Sequence, residues 1–113
     1  MATKIIKDTI KRGDNWDGGT FTCTQTGFDW TGTVVKMQWR DKPDGTIYLT
    51  QTPSCSYPVI GTMTFPVSLS GSQTGTFPKG TMYTDVQITR TSPSFGPYTP
   101  VEIQLEIQLD ITQ

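Results

Sequence analysis

Over residues 101–111 apolar positions alternate without a break: Val101, Ile103, Leu105, Ile107, Leu109 and Ile111 are separated by Glu102, Gln104, Glu106, Gln108 and Asp110. A period of two is that of a β-strand, whose successive side chains leave opposite faces of a sheet. One face belongs on a core, because a one-residue slip in register would bury three carboxylates. The same rhythm sets Val35, Met37 and Trp39 against Lys36, Gln38 and Arg40. It also sets Phe21 and Cys23 against Thr20, Thr22 and Thr24, and Met63, Phe65, Val67 and Leu69 against Thr64 and Ser68. Pro66 inside that last run has no N–H for a ladder, which predicts an edge or a bulge. Over residues 82–90, Thr84, Val86 and Ile88 share one face and Tyr83, Asp85 and Gln87 the other.

Turn chemistry separates these runs. Arg40-Asp41-Lys42-Pro43-Asp44-Gly45 puts Pro where φ near −65° is wanted and Gly where φ can be positive, so it predicts a hairpin into a strand over 46–52. The first dozen residues fit two periods: Ile6 and Ile10 have helical spacing, whereas Ile5 with Thr3 and Thr9 fits a strand, and the strand is the reading adopted. Stretches rich in Gly, Pro, Ser or Asp predict loops at 13–19, 25–32, 53–58, 70–80 and 91–100. The expected fold is a single all-β domain over residues 1–113. It is a two-sheet antiparallel sandwich, immunoglobulin-like, of about seven to eight strands, with closure into a small barrel as the alternative.

Composition supports that class and narrows the chemistry. Thr fills 21 of the 113 positions and Ala one, and β-branched side chains favour pleated strands over helices. Six Lys and three Arg against eight Asp and two Glu give a formal charge of −1, without the basic excess that phosphate binding uses, so no nucleic-acid partner is expected. No apolar run approaches the roughly 18 to 20 residues of a membrane span, and the first residues lack a secretory pattern, so no membrane partner is expected and synthesis in a cytoplasm is. His is absent, which removes the side chain titrating nearest neutrality and the commonest zinc ligand. A non-enzymatic chain with no catalytic residue, no metal site and no cofactor is the expectation.

Cys23, Trp39 and Cys55 invite comparison with the immunoglobulin pattern of a core Trp against an inter-sheet disulfide. Cys55, however, follows Cys23 by only 32 residues and sits in the Pro53-Ser54-Cys55-Ser56-Tyr57-Pro58 stretch, so two reduced thiols are expected. Glu102, Glu106 and Asp110 share a strand face at about 13 Å intervals, too far apart to hold one cation by themselves. Trp39 belongs to the core by its place in the alternation. Trp16 and Trp30 fall in polar, Gly-rich stretches, Asp14-Asn15-Trp16-Asp17-Gly18-Gly19 and Phe28-Asp29-Trp30-Thr31-Gly32. Loop aromatics of this kind anchor protein interfaces or stack on sugars; the competing reading makes them lids over the open ends of the sandwich. Tyr57, Phe95 and Tyr98 are further candidates for a partner interface. Thr- and Gln-rich faces with few Lys at their edges also suit strand addition by another chain.

One ordered set of segments adds to this. Gly18-Gly19-Thr20-Phe21-Thr22 is followed by Asp29-Trp30-Thr31-Gly32-Thr33 and a strand ending in Trp39-Arg40 before the Pro43-Asp44-Gly45 turn. Ser72-Gln73-Thr74, Tyr83-Thr84-Asp85-Val86 and Asp110-Ile111-Thr112 come next. That order, over almost the whole chain, resembles a β-sandwich domain of tailed-bacteriophage tail and baseplate proteins, similar to the amino-terminal domain of phage baseplate upper proteins. Trp30 stands where a smaller apolar residue is usual, and Gln113 falls short of the helices or receptor-binding module that often follow. The resemblance implies a structural protein located in the virion and made in the host bacterial cytoplasm. It further implies docking on other virion proteins of the tail, baseplate or neck in symmetric, multi-copy assembly, with no enzyme activity. A capsid decoration protein is one alternative. A small carbohydrate-binding module with a glycan partner is the other.

Overall fold

The computed structural model describes residues 4–109. Seven strands follow one another: β1 (Lys4–Lys11), β2 (Trp16–Thr24), β3 (Val34–Arg40), β4 (Ile47–Gln51), β5 (Thr62–Leu69), β6 (Gly80–Arg90) and β7 (Phe95–Gln108). One short helix, α1 (Gly71–Thr74), lies between β5 and β6. The strands form a five-stranded sheet in the order β1-β7-β6-β3-β4 and a two-stranded sheet of β2 and β5. The fold is therefore an all-β, two-sheet arrangement. Five strands are placed as in an immunoglobulin sandwich of the constant type, the second and fifth on one sheet and the third, sixth and seventh on the other, whereas β1 and β4 join the larger sheet.

The alternation seen in the sequence selects the core. Val35, Met37 and Trp39 from β3, Met82, Val86 and Ile88 from β6, and Ile103, Leu105 and Ile107 from β7 are all buried. They face Met63, Phe65, Val67 and Leu69 from β5. Asp110 and Ile111, the end of the long alternating run, lie outside the described residues.

Four features correct the sequence reading. β1 runs parallel to β7, with Ile6 beside Ile103 and Ile10 beside Ile107, so the larger sheet is mixed rather than wholly antiparallel. β7 starts at Phe95, inside the stretch expected to be a loop, because Arg90 pairs with Phe95 and Ile88 with Tyr98 around two irregular steps. β2 starts at Trp16 because a bulge between Asp17 and Gly19 lets the ladder with β5 continue to Leu69. Gly18 allows this: a Cβ there would sit 2.8 Å from the Trp16 ring and 2.9 Å from the Val67 carbonyl oxygen. Finally, α1 occupies part of the expected 70–80 loop. Ser70 accepts from the Gln73 N–H while the Gln73 side chain accepts from the Ser70 N–H, closing a capping box.

Candidate functional site

The five expected contact aromatics do not form one site. Trp16 and Trp30 are 5% and 4% exposed, so neither is a surface anchor or a platform for a sugar ring. Trp16 lies at the end of the sandwich nearest α1, edge-on to Trp39 at 6.0 Å, and its indole N–H donates to Asp8 at 2.8 Å. Trp39 also packs on the buried Phe77 at 5.9 Å and donates its N–H to Gln51. Both rings plug this end because the inner face of a sandwich is open there, and large aromatics fill the gap between sheets. The lid reading therefore describes Trp16 and Trp30.

At the other end Trp30, Phe95 and Tyr98 do come together. Phe28 stands edge-on to Trp30 at 4.7 Å, Phe95 lies 5.8 Å from Trp30, and Tyr98 lies 6.5 Å from it. Arg90 covers this cluster, its guanidinium 5.3 Å above Phe28 and 5.9 Å above Phe95. It also donates to the carbonyls of Asp29, Thr31 and Pro93, which ties the two loops together and leaves the aromatic box filled by the protein's own cation. Phe95 and Tyr98 are half-buried on its wall. Tyr57 is at the surface, yet its hydroxyl donates to the Thr33 carbonyl at 2.7 Å, so it fixes a loop before it meets anything outside.

What this end presents outward is aliphatic. Val59 and Ile60 are 64% and 75% exposed at the tip of the loop between β4 and β5, and Val34 is 58% exposed beside the Thr33 anchor of Tyr57. The tip is held at both sides: Thr62 donates to Val59 across the turn, and the Gln25 N–H donates to the Gly61 carbonyl. Gly61 has φ +87°, and a Cβ there would stand 2.9 Å from the Gln25 carbonyl oxygen, so only Gly closes this junction. The sequence signal for this feature was Pro58-Val59-Ile60-Gly61, two apolar residues inside turn punctuation.

A second exposed region is the outer face of the larger sheet, where Lys36, Gln38, Arg40, Asp85, Gln87 and Glu102 surround a polar depression of about 270 Å³. Asp85 is raised above its ordinary range, first by partial burial and then by Glu102, its partner across the β6–β7 ladder; Arg40 opposes the shift. Arg40 does not hydrogen-bond to Asp85. The guanidinium donates instead to the Gly45 carbonyl and to Gln38, tightening the turn after β3. Among the described residues no three metal-ligating side chains come together.

The two cysteines are free and half-buried, and burial raises both thiols. No helix among the described residues is long and apolar enough to cross a membrane.

A third region is the flank where β1 and β2 lie at the edges of their sheets. Lys4, Ile6, Gly18, Phe21, Cys23, Phe65 and Val101 are among the residues around a groove of about 330 Å³, its floor on β1 and β7 and its wall on β2. Comparison with known proteins adds no identity: no family model matches the chain, and no curated protein matches it.

Proposed function

We propose that this chain is a non-enzymatic assembly component of a tailed-phage virion, docking on neighbouring virion proteins in multiple copies. The observation that carries the reading is the apolar tip braced by backbone hydrogen bonds. Val59 and Ile60 are held out from the sandwich by Gly61, Gln25 and Thr62 while the large aromatics behind them are internal. Exposing two aliphatic side chains on a braced loop costs solubility and suits a surface that is covered in an assembly. The ordered segments from Gly18 to Thr112 that resemble phage tail and baseplate domains support the virion as the place of that assembly.

The test is sedimentation of particles from cells carrying an epitope-tagged copy of the gene. The tagged chain should travel with particles at a fixed copy number, in the tail or the head fraction after disruption, and Ile60→Asp should release it. A chain that stays wholly in the soluble fraction overturns the proposal.

A further inference from the structure

We propose that the outer edge of β2 receives one extended segment of a partner protein, which completes the smaller sheet as its third strand and fills the groove above β1. The inference shares with the assembly reading the premise that this chain is a binding module, but it concerns a different surface.

The parity of the backbone identifies the open edge. Thr64 and Ser56 exchange both N–H···O bonds, so the main-chain groups of Thr64 point away from β2. Its cross-strand partner Thr22 must then point its own N–H and C=O away from β5, and by alternation so must Thr20 and Thr24, opposite Pro66 and Thr62. Among the described residues β2 pairs with β5 alone. Thr20, Thr22 and Thr24 thus offer a row of N–H and C=O groups on a stretch with no charged side chain, Thr20-Phe21-Thr22-Cys23-Thr24.

The edges of β5 and β1 are guarded. On β5, Pro66 has no N–H, Thr64 is bridged by Ser56, and the Ser68 carbonyl accepts from Gln51. On β1, Lys7 and Lys11 line the strand and the Asp8 carboxylate caps the Thr9 N–H. Lysines and inward carboxylates are how natural sheets discourage edge pairing, and β2 carries neither at this stretch.

The groove specifies the occupant. In an immunoglobulin sandwich of the constant type a first strand lies beside the second. Here β1 has gone to β7, and among the described residues no strand takes the place beside β2. The floor of that place belongs to this molecule's own β1 and β7, through Ile6 and Val101, so the edge of a second sandwich would meet the overhanging sheet. A single strand fits. Its residues facing Ile6, Phe21, Cys23 and Phe65 must be apolar at every second position, and Lys4 at the rim favours a carboxylate at one end. The five residues of the open edge correspond to about 17 Å of strand.

The probe is a synthetic peptide, acetyl-Glu-Val-Thr-Val-Thr-Val-Thr-amide, added to the full chain, with amide hydrogen exchange read residue by residue. Strand addition slows Thr20, Thr22 and Thr24 at least tenfold while Phe21 and Cys23, already in the β2–β5 ladder, are unchanged. The same peptide N-methylated at its Thr residues should give no protection, and this arm leaves the protein unaltered. Thr22→Pro, which removes an outward N–H and no ladder bond, should weaken peptide binding at least tenfold. The proposal is overturned if the three Thr amides do not slow at millimolar peptide, if the N-methylated peptide protects equally, or if protection maps to Val59 and Ile60. Ile60→Asp must leave the peptide response intact. Peptide protection in a chain that never joins particles would sustain this inference and remove the virion reading, whereas particle association without peptide protection would do the reverse.

Discussion

Along the flank formed by β4 and β5 the two sheets are stitched together. Gln51 accepts from the Trp39 indole and donates to the Ser68 carbonyl, Ser56 bridges Thr64, and Pro66 leaves no N–H to pair. Along the flank formed by β1 and β2 one side-chain hydrogen bond among the described residues links the sheets, from Trp16 to Asp8, and beyond it the walls part around Ile6, Phe21 and Cys23. The difference arises from where each neighbouring segment goes. The chain leaving β4 returns past β5 and covers its edge, whereas the segment before β2 is committed to β7. A sandwich closed on one flank and open on the other is directional, and directionality is what a component docking in a fixed orientation requires.

The core beneath both flanks sets the largest expected effect. Trp39→Ala should cost about 3 to 5 kcal/mol in chemical denaturation, because it empties a fully buried ring site. Trp16→Ala should cost about 3 kcal/mol by the same physics, and a value near zero would show that the open flank has no core of its own. Next is the closed flank. Gln51→Ala leaves the Trp39 N–H and the Ser68 carbonyl without their partner, and the expected loss is about 1 to 3 kcal/mol in the same measurement.

The link on the open flank is smaller and depends on pH. The Trp16 N–H, and then the Thr9 N–H, hold the Asp8 carboxyl below its ordinary range. A carboxyl lowered in the folded state contributes stability above its unfolded pKa and loses it as pH falls through the folded value. Asp8→Ala should therefore reduce stability at neutral pH, by less than about 1 kcal/mol for so exposed a group, and its difference from the parent should fade on acidification. Asp85 has the opposite sign. Its raised carboxyl penalises the folded state once ionised, so Asp85→Asn should stabilise the chain at neutral pH by no more than about 0.5 kcal/mol, and the gain should vanish below the carboxylate range. Thr22→Ala on the open edge should change stability by less than about 0.5 kcal/mol, since its side chain is on the solvent face.

Much of this was legible along the chain. The period of two placed Val35, Met37, Trp39, Met63, Phe65, Val67 and Leu69 on the inner face, and Pro66 marked an edge, since its nitrogen lies on the outward side of β5. What was not legible came from tertiary context. Trp16 and Trp30 have polar, Gly-rich neighbours, and their burial depends on sheets closing around them from distant segments. The parallel pairing of β1 leaves no local mark, because residues 4–11 read alike beside either sheet. Phe77 was hidden in a Gly- and Thr-rich stretch, though Ser70-Gly71-Ser72-Gln73 carried a capping-box signature. The candidate site is an absence beside β2. It emerges only once Ser56 is seen to fix which way Thr64 and Thr22 point.

Amide exchange in the isolated chain tests the asymmetry most directly. The account predicts a sharp contrast across one cross-strand pair: Thr64, bonded to Ser56, exchanges slowly, and Thr22, its partner in β2, exchanges rapidly along with Thr20 and Thr24, while Phe21 and Cys23 are protected. Equal protection of Thr22 and Thr64 would mean that the flank is already closed, and it would contradict the account.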